Sequence, residues 1–103
     1  MKLRILDLAE ADLLNGCQFY EIQTSGIGSY FLETLYSDIE SLRLYAGVHR
    51  RLFGYHRLLS RRFPYAVYYT IEAGEILIWR VLDCRRDPHW ISAQLQKRRK
   101  SKP

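Results

Sequence analysis

A change in hydrophobic spacing halfway along the chain limits the folds that this sequence can adopt. Between residues 27 and 42, apolar side chains recur at steps of three and four, the spacing of one buried helix face. This stripe consists of Ile27, Phe31, Leu35, Ile39 and Leu42. A first helix is predicted from about Ala9 to Gln23, with acidic residues in its first turn. Because only Thr24, Ser25 and Gly26 separate the two helices, we expect an antiparallel helical hairpin.

The remaining segments have the patterns of β-strands. A first strand is predicted over 2–8, ahead of the helices, and three more follow the hairpin, over 55–61, 65–71 and 76–82. The last of these is apolar on both faces, which favours an interior position in the sheet. Asp87 and Pro88 are typical of a helix start, and the short helix should extend to about Gln96. The order β-α-α-β-β-β(-α) predicts an α+β fold, with the hairpin packed on a small, mostly antiparallel sheet.

Charge is distributed unevenly along the 103 residues. Residues 1–47 hold three basic and seven acidic side chains, net −4, whereas residues 48–103 hold thirteen basic and four acidic ones, net +9. Such asymmetry indicates a polyanionic partner for the second half, either nucleic acid or an acidic protein. The length fits one domain, which we assign to residues 1–96, and 97–103 are expected to form a basic, disordered tail.

The sequence favours a cytoplasmic protein without membrane contact. No apolar stretch approaches the roughly 18 residues of a membrane-spanning helix, and the charged N-terminal residues leave no apolar core for a secretion signal. Cys17 and Cys84 are expected to be free thiols, because two distant cysteines lack the paired spacing of a zinc site. We therefore expect neither a metal nor a cofactor.

Three segments carry a resemblance to a known family. The first is Phe19-Tyr20-Glu21 with Gly26-Ile27-Gly28; the second is residues 57–69, with Arg61-Arg62-Phe63-Pro64-Tyr65; the third is residues 81–90, with Arg85-Arg86-Asp87-Pro88-His89-Trp90. With the order of elements, they resemble the RelE/ParE family of type II toxin–antitoxin systems, on its ParE side. The resemblance implies a toxin neutralised by an antitoxin that wraps around it and often binds operator DNA. RelE-type members cut mRNA in the ribosomal A site, and ParE-type members inhibit DNA gyrase.

The RelE-type activity is one alternative. Resemblance to the RelE-type members implies lysines and arginines on the central strands and a tyrosine near the C-terminus. These side chains would act on the 2′-hydroxyl and the phosphate of the RNA. At the corresponding positions this sequence has Ala66, Cys84 and Trp90, and it has no lysine between residues 3 and 96. A ribonuclease site would then have to use His56, Arg57 and Arg85, which is a hypothesis. Whether the chain is an enzyme stays open, and the substitutions favour a protein that is not.

The favoured alternative is a ParE-like toxin that inhibits growth through DNA gyrase. It needs a rigid cationic surface for its target or antitoxin, because arginine binds carboxylate and phosphate in two-point fashion and aromatic rings add contact area. The residues expected on this surface are Arg57, Arg61, Arg62, Tyr68, Arg80, Arg85, Arg86 and Trp90. The antitoxin should cover a groove between hairpin and sheet, and only the antitoxin should contact operator DNA. A third alternative is an inactive family member that binds the antitoxin and regulates its operon.

Overall fold

The fold is α+β, as predicted, in a computed structural model that describes residues 1–97. The elements in chain order are β1 (Lys2–Ile5), α1 (Asp7–Gln23), α2 (Ile27–Glu40), α3 (Leu42–Tyr45), β2 (Arg51–Leu52), β3 (Tyr55–Leu59), β4 (Tyr65–Glu72), β5 (Glu75–Asp83) and α4 (Pro88–Lys97). The predicted basic tail lies outside the described residues, apart from Lys97. No helix within the described part of the chain is long and apolar enough to cross a membrane.

One mostly antiparallel sheet forms the centre of the molecule, with strand order β1-β5-β4-β3-β2. β1 pairs in parallel with β5, and every other neighbouring pair is antiparallel. The parallel pairing of β1 and β5 needs a long connection between them, and the helical hairpin lies within that connection. β5 lies between β1 and β4, and its residues 76–82 are buried, which explains their apolar character on both faces.

Helices cover both faces of this sheet. On one face the buried side of α2, including Phe31, Leu35 and Ile39, shares a core with Val67 and Tyr69 of β4. On the other face Ile91 and Leu95 of α4 pack in a second core, together with Tyr55, Ala66, Tyr68, Leu77, Trp79 and Leu82. The side chains of β4 therefore alternate between the two cores, and α4 is the element that protects the face opposite the hairpin.

Several boundaries differ from the prediction, among them the end of β3, which is Leu59 and not residue 61, and one strand was not predicted. α1 begins at Asp7, two residues before the predicted start, because β1 already ends at Ile5. α2 ends at Glu40 and the chain turns again in α3, which carries buried Leu42, the last member of the apolar stripe. The two-residue strand β2 was not predicted, because a strand that short has no alternation to detect. It forms through a tight turn in which Phe53 and Gly54 both adopt positive φ.

The joint between α1 and α2 is held by one carboxylate. Glu21 accepts hydrogen bonds from the backbone N–H groups of Gly26 and Gly28, each at 2.9 Å. These donors lie at the start of α2, where helix N–H groups have no partner within the helix. A Cβ atom on Gly28 would lie 2.7 Å from the Cys17 carbonyl oxygen, so the close approach of the two helices requires glycine there. The joint in turn fixes the C-terminal end of α1 beside the sheet.

Candidate functional site

Two loops that carry arginines meet at one end of the sheet. Residues 60–64 connect β3 to β4, and residues 84–87 connect β5 to α4. Tyr65 pairs with Asp83 in the sheet, and the Cys84 backbone N–H donates to the Pro64 carbonyl at 2.8 Å. The loops are therefore direct neighbours, although residues 65–83 separate them in sequence. Their four exposed arginines, which we call the arginine end, are Arg61, Arg62, Arg85 and Arg86.

An aromatic cluster supports the arginine end from inside. The ring centres of Tyr20 and Phe63 are 4.9 Å apart, those of Phe31 and Phe63 are 5.1 Å apart, and those of Phe31 and Tyr65 are 4.9 Å apart. The rings come from α1, α2, the 60–64 loop and β4, so the cluster fixes the loop against the hairpin. Burial, together with the negative charge of Asp83, raises the pKa of Tyr65 to about 12. Tyr65 therefore stays neutral at physiological pH.

Two carboxylates hold arginines of this surface in place. Asp83 accepts from Arg85 at two points, 3.0 Å from Nε and 2.7 Å from Nη2. Burial acts to raise the pKa of Asp83, but the hydrogen bonds from Arg85 outweigh it and the pKa is lowered. Asp38, whose side chain is 3% exposed, lies 3.6 Å from Arg61 Nε and accepts from the Ser60 hydroxyl at 2.7 Å. The Arg61 side chain itself is 80% exposed, so it is anchored at one side and remains available to a partner.

A cleft opens beside the arginine end, between α1, the end of β5 and α4. Its volume is about 410 Å³. Arg86 and Trp90 form one wall, Phe19 and Asn15 form another, and the last residues of β5 form the floor. The Arg86 guanidinium lies 3.8 Å from the centre of the Trp90 ring, and Phe19 is 49% exposed at the rim. The cleft thus combines a stacked cation with exposed aromatic surface.

Arg80 lies at the bottom of this cleft and is 6% exposed. Its Nε and Nη2 atoms both donate to the Asp12 carboxylate at 2.8 Å, and its Nη1 donates to the Gln94 carbonyl at 3.1 Å. Arg80 therefore connects α1, β5 and α4, and its position does not support the binding role expected for it. A single arginine inside an apolar strand is a sequence feature that points to such a buried, paired charge.

Arg57 and Tyr68 lie on the α4 side of the sheet, away from the hairpin. Tyr68 is fully buried, which raises its pKa, and the nearby Arg57 guanidinium acts in the opposite direction. Burial also raises the pKa of the Cys84 thiol in the same neighbourhood. Tyr68 therefore offers no surface to a partner in this structure. Arg57 is half-buried and lies near the arginine end without belonging to it.

The structure does not bring the hypothetical ribonuclease residues together. His56 and Arg57 are neighbours in β3, so their side chains point to opposite faces of the sheet. The His56 ring stacks on Tyr69 with ring centres 5.1 Å apart, and its Nδ1 atom donates to the His49 carbonyl at 2.9 Å. Arg85 is bound to Asp83 on the hairpin side, near Tyr20. Three separate environments therefore hold the three candidate groups.

Several residues that build the site were not predicted from sequence. Asp12, Asp38 and Asp83 position arginines, Phe19 lines the cleft, and Glu21 fixes the helical joint. Only Asp83, two residues before Arg85, carried a local indication of its role. The other carboxylates lie 23 to 68 residues from their arginines or belong to another element, so no local pattern connects them.

The fold and its geometry define a small α+β protein in which a helical hairpin, a five-stranded sheet and a terminal helix converge on an arginine-rich end. No protein-family model matches the sequence, and no curated protein matches it. Among solved structures, it is similar to a chain of the chromosomal ParDE TA system from P. aeruginosa. The TM-score is 0.73 at 22% sequence identity, over 79% of this chain and 92% of the other. This similarity shows that the two chains share a fold.

Proposed function

We propose that this protein is the toxin of a type II toxin–antitoxin system and that it inhibits growth by binding DNA gyrase, as a ParE-like member. The observation that carries the proposal is the arginine end, where two loops place four exposed guanidinium groups at one end of a fold shared with a ParDE chain. Guanidinium groups held by internal carboxylates are preorganised, so less rotamer entropy is lost when a partner binds. Such a surface suits capture of a large acidic partner or a protein–DNA complex.

The separation of His56, Arg57 and Arg85 supports target binding over RNA cleavage. Cleavage through the 2′-hydroxyl requires a base, an acid and a cation within reach of one phosphate. Trp90 stands where the resemblance implies a tyrosine, and its indole N–H is only a hydrogen-bond donor. Ribosome-dependent mRNA cleavage and an inactive, antitoxin-binding role are the two alternatives that an experiment has to exclude.

The proposed partner is a cognate antitoxin with an acidic toxin-binding segment. The exposed cations of the arginine end attract such a segment electrostatically, and a segment that is disordered before binding can follow a curved surface. In this proposal the antitoxin covers the cleft between α1, β5 and α4 and screens Arg86 at its rim. Any contact of the complex with operator DNA belongs to the antitoxin.

The test is induction of the chain alone in a bacterial host, with DNA breaks and mRNA integrity measured in the same culture. We expect growth arrest, gyrase-dependent DNA breaks and intact mRNA. Purified protein should inhibit supercoiling by purified gyrase. Truncated ribosome-bound mRNA without DNA breaks would identify the RelE-type activity, and normal growth despite soluble expression would identify an inactive member.

A matched pair of variants tests the arginine end. The change Arg61→Ala with Arg62→Ala removes two exposed cations from it, and Arg50→Ala with Arg51→Ala removes two exposed cations from the β2 edge of the sheet. If each arginine contributes one charge-assisted contact, the first double variant should weaken gyrase inhibition by about tenfold or more. The second should leave inhibition unchanged. Equal effects of the two would refute a localised surface.

A further inference from the structure

We infer that two copies of this chain associate through the end of the sheet opposite the arginine end, about a two-fold axis that passes beside the turn between β4 and β5. The contact surface, which we call the apolar end, consists of Met1, Leu44, Tyr45, Val48 and Ile71. The inference does not depend on the proposed function, because this surface shares no residue with the arginine end or with the cleft.

The apolar end exposes large side chains to water. Leu44 is 81% exposed and Val48 is 74% exposed, although Leu42, at the start of the same helical turn, is fully buried. Single exposed apolar side chains are ordinary on a monomer, whereas a contiguous group of them is typical of an interaction surface. The chain therefore has an apolar surface that water covers poorly.

These side chains form one continuous strip on the hairpin side of the sheet. At the β1 side, Arg43 Nη1 donates to the Met1 carbonyl at 3.3 Å. At the β4 side, a Cβ atom on Gly47 would lie 3.4 Å from Ile71 Cδ1. Because β5 lies between β1 and β4, residues 43–48 cross the end of the sheet and carry their exposed side chains along it.

The length of β4 separates the apolar end from the arginine end. Tyr65 is the first residue of β4, beside the arginine end, and Ile71 is the penultimate residue of the same strand. At a rise of about 3.4 Å per residue, these two positions are about 20 Å apart. A contact at the apolar end therefore leaves the arginine ends of both copies accessible.

The charges at this end of the sheet are complementary to themselves. The register aligns Lys2 of β1 with Glu75 of β5, and Glu75 with Glu72 of β4, which gives a charge row with a cation at one end and an anion at the other. The central carboxylate of Glu75 is compensated by Arg4, whose Nε lies 3.4 Å away. Lys2 and Glu72 are exposed, and neither forms an ion pair within residues 1–97.

A two-fold axis perpendicular to the sheet reverses the charge row in the second copy. Lys2 of each copy then faces Glu72 of the other, and the two apolar ends meet on the same side of the joined sheets. A two-fold dimer requires a patch that is complementary to itself in this way. An unrelated acidic or basic partner would match only one end of the charge row, so the charges favour a second copy of this chain.

Sedimentation equilibrium of the full chain measures this association. An interface centred on five apolar side chains is smaller than the standard size, so we expect a dissociation constant of about 10–100 µM. Between about 5 µM and about 500 µM protein, the mass should rise reversibly from 12.3 kDa to twice that value and no further.

A substitution at the centre of the apolar end tests the surface. Val48→Asp should weaken association about 100-fold, because a dimer contains the residue twice and each carboxylate placed in the contact costs about tenfold. The matched control is Ile22→Asp, at an apolar residue of α1 that is even more exposed and lies next to the joint with α2, and it should leave the dissociation constant unchanged. Circular dichroism checks that both variants are folded.

A charge exchange tests the two-fold arrangement. At low salt, Lys2→Glu and Glu72→Lys should each weaken self-association about tenfold, because like charges then meet twice in each dimer. An equal mixture of these two variants should associate as tightly as the parent chain, since opposite charges meet again at both contacts. Apolar aggregation without a defined geometry would show no such recovery.

Four outcomes overturn the inference. They are a monomer mass at every concentration, growth into species larger than a dimer, equal effects of Val48→Asp and Ile22→Asp, and a mixture of the charge variants that associates no better than either alone. Gyrase inhibition by a chain that stays monomeric would contradict this inference and leave the proposed function intact.

Discussion

The buried ion pair between Asp12 and Arg80 should be strongly coupled in a double-mutant cycle. The two side chains are 10% and 7% exposed, and each of two Arg80 nitrogens donates to the carboxylate at 2.8 Å. Removing one partner leaves the other charge buried, which typically costs about 3–5 kcal/mol. Arg80→Met and Asp12→Leu should therefore each lower the free energy of unfolding by about this amount.

The double variant should be far more stable than the two single effects suggest. With both charges absent, the remaining cost comes from polar groups that lose a partner, the Val81 N–H and the Gln94 carbonyl. That cost is about 1–3 kcal/mol for each of the two groups, so the double variant should lose less than the sum of the single effects, and the coupling energy should exceed about 1 kcal/mol. A domain of this size is stable by about 5–15 kcal/mol, so a single variant should keep a measurable folded baseline in the absence of denaturant wherever the parent stability exceeds the loss of about 3–5 kcal/mol.

Urea unfolding followed by circular dichroism measures the cycle, with equal m-values as the condition for comparing midpoints. The control is the surface pair Arg43 and Glu40. Their side chains are 48% and 59% exposed, and Arg43 Nε lies 3.0 Å from Glu40 Oε1. Replacing these two residues by alanine should give a coupling below about 1 kcal/mol. If the Asp12 and Arg80 effects are additive, or no larger than those of the surface pair, the interpretation of Arg80 as the connection between α1, β5 and α4 is wrong.

Three further predictions concern single residues that stabilise the fold through local contacts. Gly28→Ala should lower the free energy of unfolding by about 1–3 kcal/mol because its Cβ would lie 2.7 Å from a backbone carbonyl, and Ser29→Ala, on the exposed side of α2, should change it little in the same urea assay. Hydrogen bonds from two backbone amides lower the pKa of Glu21 in the folded protein. The ionised carboxylate therefore stabilises the fold above its ordinary pKa, and this stabilisation is lost as the pH falls through the pKa of the folded state. Glu21→Gln should weaken the dependence of the free energy of unfolding on pH between about pH 5 and about pH 3, and an unchanged dependence would contradict this. Burial, with the nearby His56 second, lowers the pKa of His49, whose Nδ1 lies 2.6 Å from the Tyr69 hydroxyl. Since the unfolded chain binds the proton more readily, stability should fall as the pH drops from about 7 to about 5, and thermal melts of His49→Gln should show a weaker dependence.

Much of the fold was predictable because long segments carry their own periodicity. The stripe from Ile27 to Leu42 fixes one face of the second helix, and alternation in β4 directs Val67 and Tyr69 to the hairpin. Strand β2 was not predictable, because its two residues pair only through a turn with positive φ. The covering of the second sheet face by α4 depends on contacts of Ile91 and Leu95 with residues far away in sequence.

For the site, the sequence indicated which residues are cationic but not which of them are accessible. Arg61, Arg62, Arg85 and Arg86 belong to loops, where polar side chains normally face solvent, and they are exposed. Arg80 belongs to an interior strand and required a partner from α1, which lies 68 residues away in sequence. Tyr68 alternates with Val67 and was expected to face outward, but the face it joins is buried under a helix whose position was unknown from sequence.

The charge asymmetry of the sequence has a different meaning once the ion pairs are known. Asp12 and Asp38 come from the acidic first half and compensate Arg80 and Arg61 of the basic second half, so part of the +9 charge is matched within the fold. The cations that remain exposed lie around the loops at one end of the sheet, so the positive electrostatic potential is strongest there and is not uniform over the surface. For this reason the position of a charge change should matter more than its size, and the comparison of Arg61 and Arg62 with Arg50 and Arg51 is more informative than any titration of binding with salt. If Arg50→Ala with Arg51→Ala weakened gyrase inhibition as much as Arg61→Ala with Arg62→Ala, the arginine end would be one part of a diffuse basic surface, and the gyrase proposal would lose its physical basis.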